Sequence, residues 1–144
     1  MTREKGQKFS AKHDPDARVD PTIAEKINKH IVNNELACAV AFKIAEELAV
    51  PPAEVGKTLD LLNLKLNKCQ LGLFGYGPAK KKVTPKAPDN PRMEDDIHRK
   101  LIDGKLACRD AWDIASQYKV PKMTVSSACE SLGIKIKPCQ LGAF

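Results

Sequence analysis

The chain has 144 residues, of which 42% are hydrophobic and 29% are charged, and its formal net charge is +6. This balance is typical of a folded globular protein, and it excludes wholesale disorder. No apolar run approaches the length of a membrane span, and the N-terminus lacks the apolar core of a signal peptide, so we expect a cytoplasmic protein with reduced cysteines and no membrane partner.

The chain contains two copies of one unit. Residues 21–74 align with residues 91–144 at a constant offset of 70, and 18 of the 54 aligned pairs are identical. The repeat predicts a mobile N-terminal tail over residues 1–19 and one unit over each of residues 20–74 and 90–144. Residues 75–89, rich in proline, glycine and lysine, form an exposed basic linker in this interpretation.

Each copy opens with the signals of a helix start. Asp20-Pro21 and Asn90-Pro91 place a capping side chain before a proline that suits the first helical position. We expect these helices to end at Asn33-Asn34 and Asp103-Gly104, whose residues accept the left-handed conformation that terminates helices. A short extended stretch follows in each copy.

The second and third helices follow from apolar spacing. Ala41, Ile44 and Ala45 repeat at positions 111, 114 and 115 and mark the buried stripe of a second helix. A Val-Pro pair then breaks each helix. The third helices turn Val55 and Cys129 toward the core, and alternation over residues 64–67 and 134–137 predicts a strand after each.

This order of elements resembles the winged helix-turn-helix family. The most telling stretch is AWDIASQYKVPKMTVSSACESLGIKI, residues 111–136. The resemblance implies a mainly α fold with small β elements (α+β), built as two tandem winged helix-turn-helix units of helix, strand, helix, turn, helix and strand. It also implies a DNA-binding protein, such as a transcriptional regulator or another DNA-associated factor, that places its third helices in the major groove.

The predicted DNA contacts lie on the third helices and in the linker. They are Lys57, Thr58, Lys80, Lys81, Lys82, Lys122, Thr124, Ser126 and Ser127. Hydroxyl and ammonium groups bind phosphates, whereas specific base recognition relies on arginine, asparagine or glutamine, which neither third helix carries. We therefore expect double-stranded DNA as the partner, without strong sequence specificity. A merely solvated helix face is the alternative interpretation of these residues.

Two other functions remain open. A protein-interaction or dimerisation module would use the same folds and the apolar Cys-Gln-Leu-Gly ends to bind a partner or a second copy of the chain. A cysteine-based metal or redox sensor would use the cysteines that recur 31 residues apart, Cys38, Cys69, Cys108 and Cys139. Without a Cys-x-x-Cys pair, we predict that these cysteines pack in the core and that no metal site exists.

No constellation of catalytic residues is recognisable in the sequence. A glycine-rich phosphate loop and a nucleophile elbow are both missing. We therefore predict a protein that is not an enzyme and needs no cofactor.

Overall fold

The computed structural model describes residues 13–14, 17–76 and 81–143. Within these ranges the order helix, strand, helix, helix, strand occurs twice, so the fold is mainly α with small β elements, as predicted. The elements are α1 (Pro21–Asn28), β1 (Glu35–Ala37), α2 (Cys38–Leu48), α3 (Pro52–Leu61), β2 (Lys65–Asn67), α4 (Pro91–Lys100), β3 (Lys105–Leu106), α5 (Cys108–Tyr118), α6 (Lys122–Leu132) and β4 (Lys135–Ile136). None of the described helices has the length and apolarity needed to cross a bilayer.

The predicted helix starts are confirmed. The Asp20 carboxylate accepts hydrogen bonds from the backbone N–H groups of Thr22 at 2.9 Å and Ile23 at 3.2 Å. The Asn90 side chain accepts one from the N–H of Arg92 at 2.9 Å. In both copies the cap satisfies first-turn donors that have no partner within the helix.

The predicted ends of the first helices are wrong. α1 ends at Asn28 and α4 ends at Lys100, several residues before the predicted stops. Residues 33–34 and 103–104 do have positive φ, but they form the tips of tight turns. The residues flanking each turn exchange backbone hydrogen bonds of 2.8 to 3.0 Å. The left-handed residues therefore direct the chain into a strand.

Each copy contains a two-stranded parallel sheet. β1 pairs with β2, with Leu36 opposite Leu66, and β3 pairs with β4, with Leu106 opposite Ile136. In both sheets the strand before the second helix is joined to the strand after the third. This parallel pairing differs from a wing that returns as a second strand.

The core consists of the predicted apolar stripes. Ala41, Ile44 and Ala45 of α2 are buried, as are their counterparts in α5. Val55 and Cys129 are also buried, which confirms their core positions on the third helices. Burial raises the pKa of the Cys129 thiol to about 12, with a smaller contribution from the nearby Glu130 carboxylate. This cysteine is a packing residue and not a reactive thiol.

The chain forms two compact units whose boundaries differ from those of the repeats. Unit one contains the described residues up to Cys69 together with residues 141–143, and unit two contains those from Gln70 to Gln140. The predicted boundaries, 20–74 and 90–144, follow the sequence repeat. The compact units differ from the repeats because each repeat ends in a short stretch that packs with helices of the other repeat. We name residues 71–73 and 141–143 the leucine segments.

Parts of the predicted tail and linker are also packed. The His13 Nε2 lies 2.8 Å from Oδ2 of Asp60 in unit one, so the described part of the tail contacts the fold. In the linker, Val83 is only 8% exposed, and its backbone N–H donates to the Gly72 carbonyl at 3.2 Å. The linker is therefore partly a structural element of unit two.

Candidate nucleic-acid interface

Positive charge is concentrated on the surface of unit two. Among its described residues, ten lysines and arginines are exposed, against four aspartates and glutamates. The described part of unit one exposes five basic and six acidic residues. Since a polyanion is attracted by the local excess of positive charge, unit two is the better candidate for its binding.

Part of this charge lies on the strands of unit two. Lys105 of β3 is directly opposite Lys135 of β4, and Lys137 follows at the end of β4. The Lys137 backbone is held in place because its N–H donates to the Leu106 carbonyl at 2.8 Å. We name Lys105, Lys135 and Lys137 the lysine edge. All three residues are exposed.

In the corresponding strands of unit one, an acidic side chain lies opposite a lysine. There, Glu35 is opposite Lys65, and the Asn67 side-chain amide donates to the Glu35 carboxylate at 3.1 Å. In unit two, Lys105 replaces the glutamate and Lys137 replaces the asparagine. Like charges directly opposite on paired strands destabilise a sheet. The lysine edge is thus locally unfavourable in the absence of an anion.

No acidic side chain of the described residues forms an ion pair with any member of the lysine edge. A shallow groove with a volume of about 290 Å³ lies beside the edge. It is lined by Ile102, Asp103, Lys105, Ala107, Lys137 and Pro138. Two lysines and one aspartate therefore line this groove, which leaves it a net positive charge, and apolar side chains form part of its wall.

Two of the predicted contact residues are buried. Thr58 is 3% exposed, and its hydroxyl donates to the Glu54 carbonyl within α3 at 2.9 Å. Ser126 is fully buried, and its hydroxyl donates to the Leu71 carbonyl at 2.6 Å. The expectation that these hydroxyls are exposed is wrong, because the leucine segments and intrahelical bonds occupy them. We remove both residues from the set of DNA contacts.

The other predicted residues of the third helices are partly covered. Lys57, Thr124 and Ser127 are all half-buried. The Ser127 carbonyl accepts a hydrogen bond from the backbone N–H of Lys86 at 3.1 Å, so the linker crosses α6 at this point. In α6 only Ser131 is exposed. This helix is thus poorly placed to enter a DNA groove.

Three predicted lysines already have partners within unit two. The Lys81 ammonium lies 2.5 Å from the Glu130 carboxylate. Lys82 lies over the ring of Tyr76 at 5.4 Å from its centroid, and Lys122 lies over the ring of Trp112 at 4.4 Å. Lys80 lies outside the described residues. The cation–π pairs leave the charge of Lys82 and Lys122 intact, whereas Glu130 offsets that of Lys81.

A second groove in unit two has a different character. It has a volume of about 460 Å³ and is lined by Asn90, Arg92, Asp95, Asp96, Arg99, Gln117 and Tyr118. The phenol of Tyr118 donates to Asp96, which also pairs with Arg99. The hydrogen bond to Asp96 is the main reason that the pKa of Tyr118 is raised above its usual value. Two arginines and two aspartates line it, so this groove lacks the unbalanced charge of the lysine edge.

The recurring cysteines are mostly buried. Cys38, Cys69 and Cys108 are at most 5% exposed, and Cys139 is half-buried. Across the ranges that the structure describes, no three histidine, cysteine, aspartate or glutamate side chains are grouped so that they could hold a metal ion. The described geometry therefore offers no support for the metal-sensor alternative.

The sequence contained a signal for the lysine edge that the prediction did not use. The alternation over residues 134–137 places Lys135 and Lys137 on the polar side of the predicted strand, but their pairing with Lys105 depends on the parallel register. Comparison of the repeats at two positions, Glu35 with Lys105 and Asn67 with Lys137, would have identified the charge difference.

Comparisons with known protein families, characterised proteins and solved structures gave no match to this chain.

Proposed function

We propose that this protein is a DNA-binding protein with two winged helix-turn-helix units in tandem, and that it contacts DNA through unit two. The observation that carries this proposal is the lysine edge, where three exposed lysines lie together without an acidic partner among the described residues. The helix pairs α2–α3 and α5–α6 agree with the helix-turn-helix part of the resemblance.

The chemistry of the edge favours phosphate contacts over base recognition. A lysine ammonium is a flexible point charge, whereas bidentate recognition of a base requires arginine, asparagine or glutamine in a fixed geometry. The covering of α6 by the linker points the same way, because a partly buried helix cannot fill the major groove. The proposed binding is therefore to the sugar-phosphate backbone of the duplex, with little dependence on sequence.

A titration of random duplex DNA at several salt concentrations tests the proposal. The test variant is Lys105→Ala/Lys135→Ala/Lys137→Ala, which removes the whole lysine edge. The matched control is Lys43→Ala/Lys65→Ala/Lys68→Ala, which removes three exposed lysines from unit one. Each lost phosphate contact reduces the slope of log K against log salt by about 0.9.

The proposal predicts that the test variant has a weaker salt dependence and a lower affinity, and that the control behaves almost like the wild-type protein. Equal losses in both variants would mean that only net charge matters, which contradicts a binding site at the lysine edge. Failure of the wild-type protein to bind DNA at low salt would refute the DNA-binding function itself.

A further inference from the structure

The third helix of unit one binds a leucine segment through a position without a side chain. Gly56 lies in α3 and is buried. A Cβ atom added there would lie 1.7 Å from the carbonyl oxygen of Leu141, far inside the contact limit. Leu141 is 1% exposed and Ala143 is 7% exposed. The absence of a side chain at Gly56 is thus what lets this backbone approach the helix.

The third helix of unit two binds the other leucine segment at the equivalent position. Ser126 is aligned with Gly56, and Leu71 is aligned with Leu141. Here the helix offers a hydroxyl, which donates to the Leu71 carbonyl at 2.6 Å. Leu71 is completely buried. A small residue on the third helix and the leucine carbonyl therefore meet in both units.

The two leucine segments are therefore interchangeable in much of their chemistry. Each begins with Leu-Gly after Cys-Gln, and each packs with helices of the other repeat. In both units the contacts include one buried leucine and its backbone, which any copy of the chain can supply. Exchange of an identical element between copies is a low-cost route to dimers. The contacts are the same whether the segment packs on its own chain, which is the closed form, or on a second copy, which is the exchanged form.

We propose that the α3 surface around Gly56 also accepts the leucine segment of a second copy of this chain, so that the protein dimerises by segment exchange. The choice between the closed and exchanged forms then depends on protein concentration. Residues 70–140 tether the chain's own segment to unit one, so closure is intramolecular and is favoured in dilute solution. The wild-type protein is accordingly monomeric in dilute solution, and segment exchange increases with protein concentration.

Two full-length variants with complementary defects test the proposal. Gly56→Ala blocks the α3 surface but leaves the leucine segment intact. Leu141→Asp leaves that surface open but places a charge on the segment, which opposes its burial. In neither variant can the leucine segment, residues 141–143, pack on α3 of its own chain. Sedimentation of each variant and of their mixture, at up to about 1 mM in a reducing buffer, then measures complementation.

The proposal predicts that each variant alone is monomeric and that the mixture forms a one-to-one complex. As a control, Gly56→Ala mixed with the double variant Gly56→Ala/Leu141→Asp should form none, because no open surface is present. A mixture that remains monomeric would overturn the proposal, as would a complex that persists in this control.

A peptide experiment covers the case in which Gly56→Ala fails to fold. A fluorescein-labelled peptide of residues 137–144 should bind the Leu141→Asp chain, with affinity at least tenfold higher than for the wild-type protein, whose surface is already occupied. The same peptide with aspartate in place of leucine is the control. Equal binding of both peptides, or no binding by either, would overturn the proposal independently of the first variant.

Discussion

The hydroxyl of Ser126 should be a measurable source of stability in unit two. The side chain is fully buried, and its Oγ donates to the Leu71 carbonyl at 2.6 Å and lies 3.2 Å from the Met123 carbonyl. Ser126→Ala removes the donor while Leu71 stays buried. Leaving a buried carbonyl without a partner costs about 1–3 kcal/mol. Alanine has the higher helix propensity, but by only about 0.5 kcal/mol, so the net effect is a loss of stability.

Urea unfolding followed by tryptophan fluorescence measures this loss. Trp112 is the single tryptophan and lies in α5, so its signal reports on unit two. The midpoint should fall while the slope m is unchanged, because the surface exposed on unfolding is the same. Ser131→Ala, at an exposed position of the same helix, should change the unfolding free energy by less than about 0.5 kcal/mol. Equal effects of the two substitutions would refute the proposed role of the Leu71 contact.

Three further predictions concern ionisable groups of unit two. The pKa of about 12 for Cys129 lies above its ordinary value of 9.0, so its stabilising contribution is complete below pH 9 and is lost between pH 9 and 12. This thiol should also resist a thiol reagent at pH 8 until the protein unfolds. Asp96→Asn should lower the raised pKa of Tyr118, measured by ultraviolet titration with the other tyrosine replaced by phenylalanine; an unchanged value would contradict the hydrogen-bond cause. Glu130→Gln should strengthen DNA binding by releasing Lys81, and weaker binding would contradict this electrostatic argument.

Local signals in the sequence predicted the elements of the fold well. The capping residues Asp20 and Asn90, and the buried stripe of α2, depend on neighbours within one or two helical turns. The repeat supplied a second instance of each pattern. The ends of the first helices were mispredicted because left-handed residues serve in helix caps and in tight turns alike, and the sequence does not distinguish these uses at residues 33–34.

The packing of the leucine segments could not be read from periodicity. Helical spacing identifies residues that share a face, but it does not identify a distant segment that covers a second face. Ser126 therefore appeared to be an exposed polar residue although it is buried and bonded to Leu71. Gly56 and Ser126 are aligned in the repeat, and two small residues there are consistent with a backbone lying close to each helix. Small residues also occur on helices for many other reasons.

The lysine edge was partly accessible from the sequence. Outward-facing lysines on the final strand follow from alternation alone. Their placement opposite Lys105 requires the parallel pairing of β3 with β4, which short strands do not specify. The predicted contacts on the third helices, by contrast, came from the family resemblance, and the fold covers much of that surface.

A charge exchange between the repeats tests the central claim most directly. The Lys105→Glu/Lys137→Asn chain carries on unit two the residues that unit one has at these positions, and Lys65→Glu/Lys68→Asn makes the same change in charge on unit one. The measurement is the affinity of both chains and the wild-type protein for random duplex DNA at low salt. The first substitution should weaken binding about tenfold or more, which is about 1.4 kcal/mol, and the second should have a much smaller effect. Unchanged affinity in the first chain, or equal losses in both, would contradict a DNA-binding site at the lysine edge.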